Sequence, residues 1–122
     1  MRQFLCDDLK VINEWQAAHG LPAFKLENLS KFGLIIDNVC AGFIFETDGG
    51  FCVFDCFISN PKSSKIDRTL CLDVITEALL KRAEARGFKT VLALTSHPSI
   101  EERCKRYKFE SALEYKCYLK EI

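Results

Sequence analysis

Two turn sequences divide residues 31–59 into three segments of strand character, and this division constrains the fold more than any other feature. Asp37-Asn38 forms the first turn and Asp48-Gly49-Gly50 the second. Asn, Asp and Gly adopt positive φ at little cost, as tight hairpin turns require. The segments between them are rich in β-branched and aromatic residues, which strands favour: residues 31–37, 39–47 and 51–59. The sequence therefore predicts an antiparallel meander.

A long amphipathic helix is predicted after the meander, over residues 65–86. Asn60-Pro61-Lys62-Ser63-Ser64 interrupts the strand pattern before it, and Gly87 ends it. Its apolar residues recur at helical spacing along one stripe: Leu70, Cys71, Val74, Ile75, Ala78, Leu79 and Ala83. Residues 90–95 (TVLALT) then form a short apolar run. A strand–helix–strand unit predicts that this run is a buried strand parallel to residues 51–59.

Shorter elements flank this unit. We expect a strand at residues 1–5, a helix from about residue 7 to 19 that Gly20 ends, a charged helix at residues 99–107 and a last strand at residues 111–119. The order is strand, helix, three-strand meander, helix, strand, helix, strand. It indicates one α/β domain with a mixed sheet across residues 1–122.

Charge and hydropathy exclude several classes of partner. Lys plus Arg and Asp plus Glu number 17 each, so no net charge attracts nucleic acid or an anionic membrane. No apolar run approaches the roughly 18 residues of a membrane span, and the start MRQFLCDD lacks the apolar core of a signal peptide. We therefore expect a cytoplasmic protein without a membrane or nucleic-acid partner, whose oligomeric state, a dimer included, stays open.

The cysteines do not indicate a metal or disulfide framework. There are 7, an odd number, and no C-x-x-C motif occurs. Most lie in apolar runs, where a reduced cysteine behaves as a small hydrophobic residue. We predict a reduced protein without a zinc site, in which only Cys104, on a charged segment, has a setting suited to chemistry.

The order of elements resembles that of the GNAT superfamily of acyl-CoA-dependent N-acetyltransferases. Residues 51–88 are similar to its strand, phosphate loop and long helix ending in Arg86-Gly87, and residues 92–109 to its next strand and closing helix, with Phe109 at the end of the pattern. The stretch ISNPKSSK is also similar to small bacteriophage and prophage proteins of this superfamily. The resemblance implies acetyl-CoA as co-substrate and an amine of a small molecule or protein as acceptor.

The resemblance also implies where acetyl-CoA binds. Its pantetheine arm would contact backbone groups at the end of the fourth strand, at Phe57, Ile58 and Ser59. Its pyrophosphate would lie on a Q/R-x-x-G-x-G/A loop at a helix N-terminus. Counting back from Arg86-Gly87 puts that motif at residues 67–72, with leucines at both glycine positions. Either CoA is not bound in the usual way, or the anion site lies upstream: Lys62, Ser63, Ser64 and Lys65, with Arg68. A polar turn with a serine cap and solvated lysines is the alternative for this upstream segment.

Catalytic residues follow from the same resemblance. The superfamily's frequent general acid is a Tyr in the penultimate helix; aligning Phe109 puts Cys104 at that position, with Tyr107 three residues further on the same helical face. Basic residues at 103, 105 and 106 are expected to lower the pKa of Cys104. A structural cysteine is the alternative.

For the general base there are two carboxylates, Glu46 and Asp55. Asp55 is favoured because it stands among Phe54, Cys56 and Phe57, where an acidic group must face a cleft or a partner. A solvent-facing strand residue is the alternative. His97, which precedes a proline, and Ser99 are expected to cap the following helix.

Three functions remain open at this point. The first is an N-acetyltransferase. The second is a catalytically silent module of the same fold that binds a protein partner, for example a host or virion component; the leucines at the glycine positions favour it. The third is a small-sheet domain unrelated to CoA. Acetyl-CoA binding distinguishes the first from the others.

Overall fold

A computed structural model of the protein describes residues 1–95, 97–112, 114 and 116–122. Within these ranges the strands form one five-stranded sheet: β1 (Arg2–Gln3), β2 (Phe32–Ile36), β3 (Cys40–Glu46), β4 (Phe51–Ser59) and β5 (Thr90–Ala93). The α-helices are α1 (Leu9–Ala18), α2 (Lys65–Ala85) and α3 (Pro98–Arg106). Short 3₁₀ turns lie at Cys6–Asp8 and Leu26–Asn28.

The sheet is mixed. Strands β1 to β4 pair antiparallel in chain order, and β5 pairs parallel with β4, in register from Phe51 opposite Thr90 to Phe54 opposite Ala93. A parallel neighbour needs a crossover, and α2 supplies it. The predicted meander and the parallel strand–helix–strand unit are both confirmed. The predicted burial of residues 90–95 is wrong: β5 is an edge strand of the described sheet, with Thr90 and Leu92 exposed and Val91 and Ala93 half-buried.

The turns form where the sequence supplies residues that adopt positive φ. Asn38, between β2 and β3, has φ 65°, and Gly87, after α2, has φ 84°. A side chain with a Cβ adopts this region at a cost, which is small for Asn and absent for Gly. These positions therefore set the ends of β2 and α2 as predicted.

Helices cover both faces of the sheet. Ile12 and Trp15 of α1 pack with Phe43 on one face, and Ile75 and Leu79 of α2 pack with Ile44 on the other. Phe43 and Ile44 point to opposite faces because successive strand residues alternate, and both are fully buried. Each such side chain contributes about 1.5–3 kcal/mol on burial, so β3 is the centre of the core.

The predicted strand at residues 111–119 is not formed in the part of it that the structure describes. Residues 113 and 115 lie outside the described ranges, and the other positions are exposed and outside any strand. A strand is stable only when its backbone pairs with a neighbour, and β5 is the last strand of the sheet in the described chain. No helix in the described ranges is long and apolar enough to cross a membrane.

Candidate functional site

A cavity of about 440 Å³ opens where β4 and β5 separate. Their pairing ends at Phe54 and Ala93, and the Leu94 N–H donates to the Phe54 C=O across a long 3.5 Å. Beyond this bond, no backbone hydrogen bond joins the two chain segments among the residues described. The cavity lies in the widening gap between Phe54–Phe57 on one side and Ala93–Thr95 on the other.

A β-bulge in β4 shapes this gap. Ala41 pairs with Ile58 and Phe43 with Asp55, so Gly42 alone lies opposite two residues, Cys56 and Phe57. Cys56 has φ 56°, in the left-handed region that a non-glycine residue seldom adopts. Asp55, Cys56 and Phe57 all line the cavity, whereas a regular strand would turn alternate residues to opposite faces. Bulges commonly redirect side chains in this way next to binding sites.

Asp55 is the carboxylate that reaches the cavity. It lines the wall, and its Oδ1 accepts a hydrogen bond from the Cys56 N–H at 2.7 Å. The second candidate, Glu46, instead bonds Arg86 Nε at 2.7 Å and lies 3.6 Å from Arg82. The structure thus separates the two carboxylates into one that faces the cavity and one that joins β3 to the end of α2.

Helix α3 forms another wall, and a single ion-pair cluster positions it. The Arg103 Nε donates to Asp73 Oδ1 of α2 at 2.7 Å, and Arg106 Nη1 donates to Asp73 Oδ2 at 2.9 Å. Burial acts to raise the pKa of Asp73, but the hydrogen bonds from Arg106 and Arg103 outweigh it, so the pKa is lowered. Asp73 is therefore ionised at neutral pH and holds both guanidinium groups.

Tyr107 lies on the same helical face as Cys104, as predicted, and both line the cavity. The Tyr107 hydroxyl donates to Glu77 Oε1 at 3.0 Å. Burial, together with this hydrogen bond to a carboxylate, raises the pKa of Tyr107 to about 12. The phenol therefore stays protonated at neutral pH, and in this structure its single proton is donated to Glu77.

The expected lowering of the Cys104 pKa is wrong. Cys104 is half-buried, and burial raises the pKa of its thiol more than the charge of Arg103 lowers it. Adjacent residues of a helix do not face each other, and of the three basic neighbours only Arg103 lowers the pKa of the thiol, while Glu101 raises it. All 7 cysteines are free, and no group of three metal-ligating side chains occurs in the described ranges.

His97 caps α3, as predicted, whereas Ser99 is not the N-cap but the second helical residue after it. The Ser99 N–H donates to His97 Nδ1 at 3.2 Å, and the Ser99 hydroxyl lies 2.7 Å from the same nitrogen. Because Nδ1 accepts, the neutral ring carries its proton on Nε2. His97 also lines the cavity, so it is a further hydrogen-bond donor at the wall.

The phosphate motif counted back from Arg86-Gly87 is wrong as a loop, because residues 67–72 lie inside α2. The helix begins at Lys65, and Ser64 caps it by accepting the Asp67 N–H at 3.0 Å. Leu70 is exposed on the helix surface. A strong side-chain cap so far upstream extends the helix over the positions where a glycine loop would lie.

The upstream residues are gathered at the N-terminus of this helix. The Asn60 side chain accepts the Lys62 N–H at 3.0 Å, and the Asn60 C=O accepts the Ser63 N–H at 3.1 Å. The N–H groups of Ser64, Lys65 and Ile66 donate to no described residue. The structure thus brings Lys62, Ser63, Ser64 and Lys65 together at a helix terminus with outward donors, and places Arg68 one turn later, half-buried.

The three residues predicted at the end of β4 have different surroundings. Phe57 lines the cavity, whereas Ile58 is buried in the core under α1. The Ser59 C=O accepts a hydrogen bond from His19 Nε2 at 2.8 Å. Of the three side chains, only that of Phe57 reaches the cavity.

Sequence reasoning missed Arg103 as a cavity residue. It stands in EERCKR, a charged segment typical of a solvated helix, yet it is only 6% exposed. A signal was present: Ile100, Cys104 and Tyr107 follow helical spacing and define the inner face, and Arg103 falls between them on that face.

The fold is shared with solved acetyltransferase structures, which confirms the predicted fold class. One is the crystal structure of a "probable acetyltransferase", with TM-score 0.65 and 12% identity over 100% of this chain and 98% of that one. Another is an acetyltransferase from Trypanosoma brucei, with TM-score 0.65 and 14% identity over 98% and 96% of the two chains. No family model matches the sequence, and no curated protein does.

Proposed function

We propose that the protein is an N-acetyltransferase that moves an acetyl group from acetyl-CoA to an amine. The observation that carries the proposal is the cavity at the point where β4 and β5 separate, with Asp55 on one wall and Tyr107 on another. A potential base and a potential acid in one cavity are what acyl transfer to an amine requires. The likeness of the whole fold to acetyltransferase structures supports this reading.

Asp55 is the residue that we assign as base. Its carboxylate faces the cavity, and the Cys56 N–H fixes the orientation of one oxygen at 2.7 Å. The other oxygen makes no hydrogen bond to a described residue. It is therefore able to accept a proton from a bound ammonium group, directly or through water, and so to supply the free amine that reacts.

Tyr107 is the residue that we assign as proton donor, with Cys104 as the alternative. Acetyl-CoA supplies a thioester whose cleavage leaves a thiolate that needs a proton. Tyr107 holds its proton at neutral pH and lines the same cavity. The Cys104 thiol is protonated as well, because burial raises its pKa. The hydroxyl is the stronger hydrogen-bond donor of the two.

The phosphates of acetyl-CoA would be held by residues 60–68. Helix α2 has 21 residues, so its terminus carries a dipole and N–H donors suited to an anion. Ser64, Lys65 and Ile66 have N–H groups without a partner among the described residues, and Lys62 and Lys65 add exposed positive charge. These residues fit a phosphate group even without the glycine motif.

Calorimetric titration with acetyl-CoA, followed by turnover with a panel of small primary amines, tests the proposal. We expect saturable binding below millimolar concentration. Asp55→Asn should lower kcat by about 100-fold, the usual range for loss of a general base, with acetyl-CoA affinity unchanged. Glu46→Gln is the matched control and should leave kcat unchanged, because Glu46 does not line the cavity. Lack of affinity at millimolar acetyl-CoA would overturn the proposal.

That negative outcome would favour the silent binding module. The observation on its side is that residues 67–72 are helical and carry no glycine. We also propose that the protein is cytoplasmic and that it is related to phage proteins, to which the stretch ISNPKSSK is similar. The free thiols of all 7 cysteines fit a reducing compartment.

A further inference from the structure

The cavity carries one negative and one positive side chain in an otherwise neutral wall. Among the described residues that line it, the formally charged ones are Asp55 on β4 and Arg103 on α3. Most of the remaining wall is apolar or aromatic, including Phe24, Phe54 and Ile100. In such surroundings charges interact more strongly than in water, so this pair dominates what the cavity will accept.

Arg103 has hydrogen-bond donors that no described residue uses. Its residue is 6% exposed, and its Nε is taken by Asp73 Oδ1 at 2.7 Å. Neither Nη1 nor Nη2 donates a hydrogen bond to any residue that the structure describes. A guanidinium group has five N–H donors, so those on the two Nη atoms are available for a further acceptor. The cavity that Arg103 lines is where such an acceptor would lie.

Arg103 shares its carboxylate partner with a second arginine. One carboxylate, Asp73, faces two guanidinium groups, those of Arg103 and Arg106. Arg106 has a second carboxylate, Glu102, at 3.6 Å, but Arg103 has no other within ion-pair distance among the described residues. Arg103 therefore has only part of one carboxylate as its partner, and a planar guanidinium fork binds a carboxylate with two parallel hydrogen bonds.

We propose that the amine acceptor is a small amino acid-like zwitterion, whose carboxylate binds Arg103 and whose ammonium group binds Asp55. The volume of about 440 Å³ lies in the lower part of the range for small-molecule sites, about 300–1,000 Å³. The aromatic and aliphatic wall selects an apolar side chain. The identity of this ligand as an acceptor rests on the proposed acetyl transfer, whereas its binding does not.

Calorimetry without acetyl-CoA tests the site directly. The probes are L-phenylalanine and L-leucine, each compared with its C-terminal amide, which keeps the amine and loses the carboxylate. We expect at least one acid to bind at least tenfold more tightly than its amide. Arg103→Gln should abolish that preference. Arg106→Gln is the matched control and should keep it, because Arg106 bonds the same Asp73 and does not line the cavity.

The amine end has its own test. Asp55→Asn should weaken binding of L-phenylalanine at least tenfold and leave that of 3-phenylpropanoate, which lacks the amine, unchanged. Circular dichroism shows whether Arg103→Gln folds. If it does not, Arg103→Lys is used instead, which keeps the positive charge but lacks the planar guanidinium group. This variant should reduce the preference for the acid over the amide. The comparison of acid with amide in the wild-type protein needs no variant.

The outcomes separate the two proposals. Two results would overturn the amino-acid site and leave acetyl transfer to other amines standing. One is that the amides bind as well as the acids. The other is that neither acid binds at 10 mM, which corresponds to roughly 2.7 kcal/mol of binding free energy. Carboxylate preference without any acetyl-CoA affinity would keep the site and overturn acetyl transfer. Equal loss of preference in Arg103→Gln and Arg106→Gln would assign the effect to the ion-pair cluster and overturn the role of Arg103.

Discussion

Arg103 Nε donates to Asp73 Oδ1 at 2.7 Å and thereby ties α3 to the middle of α2. The two residues are 30 positions apart in sequence. Both side chains are largely shielded from water, with 8% and 20% of their surface exposed. The position of the cavity wall thus depends on one carboxylate that binds two arginines.

Replacement of Asp73 by Asn should destabilise the protein by about 1.5–3 kcal/mol, because it leaves the buried Arg103 without a charged hydrogen-bond partner. Urea unfolding followed by circular dichroism measures this free energy. Glu102→Gln is the control: it removes an exposed partner of Arg106 at 3.6 Å and should cost less than about 0.5 kcal/mol. Equal stabilities of Asp73→Asn and wild type would contradict the role assigned to the cluster.

The contribution of Asp73 should disappear in acid. Its pKa in the folded protein is lowered by the hydrogen bonds from Arg106 and Arg103, which outweigh burial. The pKa of an aspartate in the unfolded state is about 3.9. A carboxyl whose pKa is lower in the folded protein stabilises the fold at pH values above about 3.9, and this stabilisation is lost as the pH falls through the folded-state pKa. The difference in unfolding free energy between wild type and Asp73→Asn should therefore be constant from pH 5 to 7 and shrink below about pH 4. A difference that grows on acidification would have the wrong sign.

Gly42 should not tolerate a side chain. A Cβ at this position would lie 2.7 Å from Phe57 Cε1 and 3.0 Å from Ile75 Cγ2. Gly42→Ala should therefore destabilise the protein by about 1–3 kcal/mol and weaken ligand binding in the cavity, because Phe57 lines it. Gly50→Ala serves for comparison, since a Cβ there meets nothing within 4 Å. A Gly42→Ala variant as stable as Gly50→Ala would mean that the bulge is not tightly packed.

The lysines before α2 should matter for acetyl-CoA and not for the fold. Joint replacement of Lys62 and Lys65 by Ala should weaken acetyl-CoA binding about tenfold or more, at roughly 1 kcal/mol for each partly exposed charge-assisted contact. Added salt should weaken wild-type binding for the same reason. The midpoint of urea unfolding should not change, because exposed lysines contribute little to stability. Unchanged calorimetric affinity in the double variant would exclude this helix end as the phosphate site.

The kcat values of variants at Tyr107 and Cys104 show which of the two residues is the proton donor. Tyr107→Phe should lower kcat at least tenfold, since general acids contribute about 10²- to 10⁴-fold, whereas Cys104→Ala should change it less than about twofold. Because the pKa of Tyr107 is raised to about 12, the wild-type rate should show no loss from ionisation of this group up to pH 10. Steady-state kinetics measures both effects, and the reverse order of the two variants would assign the proton to Cys104.

The sheet and the long helix were accessible from sequence because their signals are local. Asn38 and Gly87 mark turns through their own backbone preferences, and the β-branched and aromatic residues of segment 39–47 favour a strand regardless of its partners. The strand–helix–strand order then leaves one usual arrangement, the parallel pairing of β4 with β5. The predicted strand at residues 111–119 lacked such support, since apolar pattern alone does not supply a pairing edge.

The sequence by itself thus determined the meander and the crossover helix, each through residue types and spacings along one segment. Only the tertiary structure decided where β4 leaves β5, because the positive φ of Cys56 is a backbone state that cysteine does not signal. It also decided that Arg103 is buried beside the cavity, since a charge in a helical segment is buried or solvated according to its partner. That partner, Asp73, is 30 residues away, and periodicity reports which face of a helix is covered but not which atoms cover it.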